Sequence, residues 1–186
     1  MTKIITVKEK AASAFDIMKG EFGYKNKLAS PKLVKVNLSV SSGSKMKKDR
    51  KANDLIVDRL SKITGQKSSI RKAKQSVASF KIRQGDPIGV AVTLRGTRMY
   101  DFLDKIINVA LPRTKDFRGI KRESVDNIGN MTFGIKEHTI FPEIKDEELK
   151  DVFGMAVTIV TTSKNSKEST KFFEVIGLPF KKVGAK

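Results

Sequence analysis

The chain has 186 residues, with 38 Lys and Arg against 20 Asp and Glu, for a formal net charge of +18 at pH 7. Hydrophobic residues at 39% and charged residues at 31% supply one core beneath a densely charged surface, which excludes disorder over most of the length. The absence of cysteine excludes a disulfide framework, a thiolate zinc site and a cysteine nucleophile.

Thr6 and Glu9 stand three apart before the apolar series Ala11, Phe15, Met18, Phe22, which predicts a capped amphipathic helix ended by Gly23. After Ser30-Pro31, residues Leu33 to Val40 alternate, with Val34, Val36, Leu38 and Val40 on one side and Lys35, Asn37 and Ser39 on the other, the pattern of a half-buried strand. Ala52, Leu55, Ile56, Leu60 and Ile63 fall at helical spacing within a second helix over 47–63 that Gly65 stops. A short strand is expected over 66–71, and a third strand where Val90, Val92 and Leu94 alternate with Ala91, Thr93 and Arg95.

Thr97 opens a predicted third helix with the stripe Met99, Phe102, Leu103, Ile106, Ile107 and Ala110, ended by Pro112. Two more strands are expected over 131–138 and 155–162. Asn165 and Glu168 then cap a last helix through Phe172, Phe173 and Ile176. Strands that alternate polar and apolar residues have one wet face, unlike those of a doubly wound fold. The expected class is therefore α+β, a largely antiparallel sheet with helices packed on one face and the other face exposed for RNA. Residues 1–182 are expected to form a single domain and 183–186 a frayed tail. Met1 to Lys10 lack the apolar run of a signal peptide, and no stretch reaches the ~18 apolar residues needed to span a bilayer, so a soluble intracellular protein without a membrane partner is expected.

The charge demands a polyanion, and phosphate neutralisation is the commonest physical use of such a surface. Between Asp58 and Asp86 no acid occurs, while Arg59, Lys62, Lys67, Arg71, Lys72, Lys74, Lys81 and Arg83 do. Gln66, Ser68, Ser69, Gln75, Ser76 and Ser79 interleave donors and acceptors suited to phosphate and 2′-hydroxyl contacts, and Phe80 offers a ring to stack on a base. On the wet face of the sheet, Lys35, Asn37, Thr93 and Arg95 point one way, with Gln66 at an edge. The competing reading of these groups is a solvated polar face. A second feature has the opposite sign: Glu143, Asp146, Glu147, Glu148 and Asp151 crowd one loop, either a solvated surface or a docking point for a basic protein.

Catalytic constellations are thin. His138 is the only histidine and stands in a predicted strand, where a structural or surface role is expected; Asp101 and Asp104 sit beside Arg98 and Lys105 in what reads as an ion-pair lattice. Gly85 and Gly89 flank Pro87 and match no phosphate-binding loop. No catalytic residue, metal site or cofactor is expected, and the rivals to a structural RNA-binding protein are an RNA-processing enzyme and a general nucleic-acid chaperone.

Several ordered blocks carry more than composition can: Thr64-Gly65-Gln66-Lys67, Lys72-Ala73-Lys74 running to Phe80-Lys81-Ile82-Arg83, Pro87-Ile88-Gly89-Val90 with Thr93-Leu94-Arg95-Gly96, and Ala110-Leu111-Pro112-Arg113 with Asp116-Phe117-Arg118-Gly119. Gly134-Ile135-Lys136-Glu137, Ile140-Phe141-Pro142-Glu143 and Gly177-Leu178-Pro179-Phe180 extend them. Over nearly the whole chain the sequence resembles the bacterial-type ribosomal protein L5 family. The resemblance implies a non-enzymatic protein of the cytoplasmic ribosome that joins 5S rRNA to the large subunit in the central protuberance. It also implies contact with 23S rRNA, P-site tRNA, neighbouring 5S-binding ribosomal proteins and small-subunit protein S13.

Carried onto this chain, the resemblance implies 5S rRNA contacts by Asn37, Gln66 and Thr93, and the basic residues Lys35, Lys67, Arg71 and Arg95 beside them complete the expected 5S rRNA-binding set. It implies a tRNA-contacting loop of Lys72, Lys74, Gln75, Ser76, Val77, Ala78, Ser79 and Phe80. An inter-subunit bridge is implied at Ile140, Pro142, Glu143, Asp146, Glu147, Glu148 and Asp151. The chain departs from the family where Ser39 and Ser41 replace usual glycines, and where Gln75 and Ser79 replace a usual Lys and Gly.

Overall fold

The computed structural model describes residues 5–41, 50–115, 117–144 and 152–181. The tail at 183–186 and the acidic positions Asp146, Glu147, Glu148 and Asp151 lie outside them. Five strands form one antiparallel sheet: β1 (Leu33–Ser41), β2 (Ser69–Lys72), β3 (Pro87–Leu94), β4 (Met131–Ile135) and β5 (Met155–Thr161), in the order β2-β3-β1-β5-β4. The helices are α1 (Val7–Phe22), α2 (Arg50–Thr64), α3 (Gly96–Lys105) and α4 (Ser166–Ile176), so the class is α+β as expected. Along β4 and β5 buried residues alternate with accessible ones, so each strand has one covered and one open face. Among the described residues no helix is long and apolar enough to cross a membrane.

The chain divides into two compact units. Unit 1 comprises 1–36, 95–133 and 158–186; unit 2 comprises 37–94 and 134–157.

In unit 1, α1 packs on α4 and on α3. The expected capping box is present: the Thr6 hydroxyl accepts from the Glu9 amide, and the Glu9 carboxylate accepts from the Thr6 amide. The buried seam of α1, however, is Val7, Ala14 and Met18, while Ala11, Phe15 and Phe22 are only half-buried. Asp104 of α3 sets this rotation, because its carboxylate accepts the Val7 amide at 2.9 Å and pins the first turn. The same bond makes Asp104 a cap for another helix.

The stripe of α3 buries Met99, Phe102 and Leu103 as predicted, but the helix starts at Gly96, with Arg95 as its N-cap, and not at Thr97. Pro112 does not stop it either. A π turn over Ile106–Ala110 lets the Leu111 amide bond back to the Ile106 carbonyl, which shifts the ladder and admits one more turn, Leu111–Arg113, around the residue that lacks an N–H. At α4, Asn165 makes no side-chain cap. Glu168 accepts from the Ser163 hydroxyl at 2.8 Å and from the Lys164 amide at 3.3 Å, so its carboxylate closes the start of the helix with residues one and two positions before Asn165.

In unit 2, α2 packs on β3, with Ile56, Leu60 and Ile63 buried on the helix and Val90, Val92 and Leu94 on the strand. Gly89 lets β3 lie tight against β1: a Cβ there would stand 2.7 Å from the Val40 carbonyl oxygen. The second strand begins at Ser69 and not at Gln66. The Ser68 hydroxyl donates to the Val57 carbonyl at 3.1 Å and its amide to the Ser61 hydroxyl at 3.2 Å, which ties residues just past α2 to that helix and withholds them from pairing.

Candidate nucleic-acid interface

β2 runs antiparallel to β3 with Ser69 opposite Ala91, Ile70 opposite Val90 and Arg71 opposite Gly89; a bulge between Arg71 and Lys72 then places Lys72 opposite Pro87. Residues level across such a pair share a face, so Ser69 and Arg71 stand on the side of Gly89, Ala91 and Thr93. All four residues of β2 are exposed. Arg71 and Lys72 blunt this strand at the end of the sheet order against pairing with another chain and leave cations for a ligand.

Beyond β2 the chain does not wander. The Ala73 amide donates to the Asp86 carbonyl at 2.8 Å, the Gly85 amide to the Ala73 carbonyl at 3.0 Å, and Val77 and Ile82 exchange backbone bonds of 2.9 and 3.1 Å. The Gln84 amide donates to the Ser76 hydroxyl, and the Asp86 carboxylate accepts from the Arg83 amide. The predicted loop is thus a self-paired extension of the β2–β3 hairpin. Its tip is Ala78 to Lys81, closed by a bond from the Lys81 amide to the Ala78 carbonyl.

Lys72, Lys74, Gln75, Ser76, Val77, Ala78, Ser79 and Phe80 are all exposed, Phe80 at 74%. Lys81 and Arg83 are exposed on the returning arm, so the cationic element spans the whole basic run expected up to Arg83. Among the described residues none of Lys72, Lys74, Lys81 and Arg83 is in an ion pair. Lys81 holds a left-handed φ of +52°, uncommon for a residue with a Cβ.

At the foot of the hairpin three predicted polar residues are linked. The Gln66 amide nitrogen donates to the Thr93 carbonyl at 3.2 Å, and the Thr93 hydroxyl donates to the Asn37 side-chain oxygen at 3.0 Å. All three are half-buried, so each is held and still reachable. With its oxygen engaged by Thr93, Asn37 presents its –NH2 as a donor, and the Thr93 hydroxyl oxygen keeps an acceptor lone pair. Lys67 and Arg71 lie nearby in sequence, Arg71 exposed. Lys35, half-buried in β1, and Arg95, exposed ahead of α3 and not on the strand, belong to unit 1.

His138 is not in a strand. β4 ends at Ile135, and His138 opens a 3-10 turn whose amide donates to the Phe153 carbonyl. Its ring is fully buried, stacked on Phe153 with centroids 4.0 Å apart, and meets Arg59 through Nε2 at 3.0 Å. Burial, and then the Arg59 charge, hold its pKa below the ordinary histidine value, so the ring is neutral packing material near pH 7. In the same segment Ile140 and Phe141 are buried, whereas Pro142 and Glu143 are exposed. Among the described residues no group of three His, Asp or Glu side chains is arranged to hold a metal.

A family model described as ribosomal protein L5 matches residues 26–83, and a second model, describing the C-terminus of the same ribosomal family, matches 87–180. The hairpin tip therefore falls near the seam between the two matched segments. The chain is 48% identical over 162 residues to the large ribosomal subunit protein uL5 of Mesoplasma florum, covering 87% of this chain and 89% of that protein. It is 49% identical over 161 residues to uL5 of a Thermoanaerobacter species, and 49% over 162 residues to uL5 of Campylobacter jejuni, with the same coverage. On these matches the chain belongs to the bacterial-type ribosomal protein L5 family, whose members are structural, RNA-binding components of the large ribosomal subunit and not enzymes.

Proposed function

We propose that this chain holds 5S rRNA in the central protuberance of the large subunit through the linked Asn37, Thr93 and Gln66. The observation that carries this reading is the hydrogen-bonded series itself. It fixes an amide donor and a hydroxyl on accessible backbone-supported positions, which suits base edges and 2′-hydroxyls, while Lys67 and Arg71 neutralise phosphates. Lys35 and Arg95 contribute phosphate contacts from unit 1. The hairpin from Lys72 to Arg83 touches P-site tRNA, with Phe80 available to an unstacked base. Pro142, Glu143 and the acidic residues that follow meet protein S13, with Ile140 anchoring that segment from the core.

The test is selectivity. Asn37→Ala and Thr93→Ala each remove a polar contact of about 1 kcal/mol or more, so the preference for 5S rRNA over tRNA should fall roughly fivefold. Equal weakening toward both RNAs would mark a general nucleic-acid chaperone instead. Binding should also decay steeply with salt, on the order of a thousandfold from low to moderately high salt for about six phosphate contacts, and a flat response would contradict the reading.

A further inference from the structure

We propose that His138 is a proton-operated latch: while neutral it fastens Phe153 to the residues that follow β4 and to α2, and on binding a proton it lets Phe153 and residues 140–144 loosen. The inference goes beyond the reading above and needs no partner, since every group it uses lies within unit 2.

Two strands of chain are tied together at this residue. The His138 amide donates to the Phe153 carbonyl at 3.1 Å, and the Phe153 amide donates back to His138 Nδ1 at 3.3 Å. Beside them Gly154 lies so near the end of β4 that a Cβ on it would stand 3.0 Å from the Ile135 carbonyl oxygen. The Phe141 amide donates to the His138 carbonyl and the Ile144 amide to the Phe141 carbonyl, both at 3.2 Å, so residues 140–144 hang from the same point. The imidazole is fully buried and lies flat on the Phe153 ring, with 4.0 Å between centroids and 4° between planes.

Both ring nitrogens face donors: the Phe153 N–H at Nδ1, and at Nε2 the half-buried Arg59 guanidinium of α2, 3.0 Å away. A neutral imidazole has one lone pair and meets one of them; a protonated ring carries N–H at both positions and meets neither. Arg59 also sets a positive charge against the new one. The Phe153 carbonyl and the exposed Glu137 carboxylate favour the proton, but less than burial and Arg59 oppose it. An opened ring in water titrates at the ordinary value of 6.5, whereas the closed ring titrates below it. The proton therefore goes to the open form. As pH drops below 6.5 the closed-to-open ratio falls, by up to about tenfold per unit, until the closed ring titrates as well.

Two readouts on the full-length protein between about pH 7.5 and about pH 5 decide the matter: amide exchange expressed as protection factors, and the NMR titration of the only histidine. Protection of the Phe141 and Phe153 amides should fall by up to about tenfold per pH unit below the ordinary histidine value while that of the β3 amides holds, and the ring should titrate below that value. His138→Asn offers an oxygen that accepts the Phe153 amide but takes no proton, so its protection should vary less than about twofold over the range. Arg59→Gln removes the opposing charge and should move the histidine midpoint up toward the ordinary value. A ring that titrates at the ordinary value, a Phe153 amide indifferent to pH, or a β3 that loses protection in step would each overturn the inference. So would a folded His138→Asn protein that keeps the pH dependence. The wild-type measurements need no substitution, so they decide the question even where His138→Asn does not fold.

Discussion

In unit 1 the chain answers most of its own polar groups. The Tyr24 hydroxyl donates to Glu168, the Glu168 carboxylate takes Ser163 and the Lys164 amide, and the hydroxyls of Thr161 and Ser169 both donate to the Gly129 carbonyl. Burial, followed by the bond to Glu168, pushes the Tyr24 pKa far above its ordinary value, so the hydroxyl stays protonated and keeps donating. The hairpin in unit 2 is built the other way. Its backbone closes on itself, yet Lys72, Lys74, Lys81 and Arg83 are in no ion pair among the described residues and remain open to solvent. Paired polar groups specify the fold; unpaired cations on a self-sufficient backbone specify a partner, because they cost little to display and gain only when an anion arrives.

Neutralising the hairpin is the largest way to test that contrast. A Lys72→Gln/Lys74→Gln/Lys81→Gln/Arg83→Gln variant should lose roughly a hundredfold in RNA affinity at near-physiological salt, with a salt slope reduced by about 3.6. Its melting temperature should barely move, since no described contact depends on those charges. A large drop on thermal denaturation would show that the cations support the fold and end the comparison. The reciprocal change is Glu168→Ala. It removes the acceptor of the Tyr24 hydroxyl and the Lys164 amide and leaves the Ser163 hydroxyl only the Asn165 carbonyl, and should cost about 1–3 kcal/mol in urea unfolding with RNA affinity unchanged. Weaker RNA binding at full occupancy of the folded state would mean that the Glu168 network reaches the interface.

Periodicity made α3 and the capping box of α1 readable, because both depend on residues within a few positions of one another. The same local logic set Asn37 and Thr93 on one side of their strands, and the bond between them bears out that placement. What escaped was set at long range. The rotation of α1 depends on Asp104, 97 residues away; the late start of β2 depends on Ser68 bonding back to Val57; and His138 leaves the strand because Phe153 supplies its partners. No window of neighbouring residues contains those acceptors. The basic run at 59–83 was legible as charge, whereas its closure into a hairpin was not, since Ala78, Ser79, Phe80 and Lys81 include no glycine, asparagine or proline to announce a turn.

That missing turn residue supplies the finest test. At φ +52° the Lys81 side chain costs on the order of 1 kcal/mol of backbone strain, which glycine would relieve. Glycine also gives the unfolded chain more freedom, worth about 0.5–1 kcal/mol against the fold, so the two effects nearly cancel. Lys81→Gly should therefore leave stability within about 0.5 kcal/mol while removing one phosphate contact, seen as a salt slope lower by roughly 0.9 and an affinity down a few-fold. Lys81→Arg should keep both. If glycine at this position lowers stability clearly, the side chain belongs to the fold; if it leaves the slope untouched, the strained lysine faces no phosphate. Unchanged stability with a shallower slope would mean that the chain tolerates an unfavourable backbone angle at this tip in order to hold a cation there.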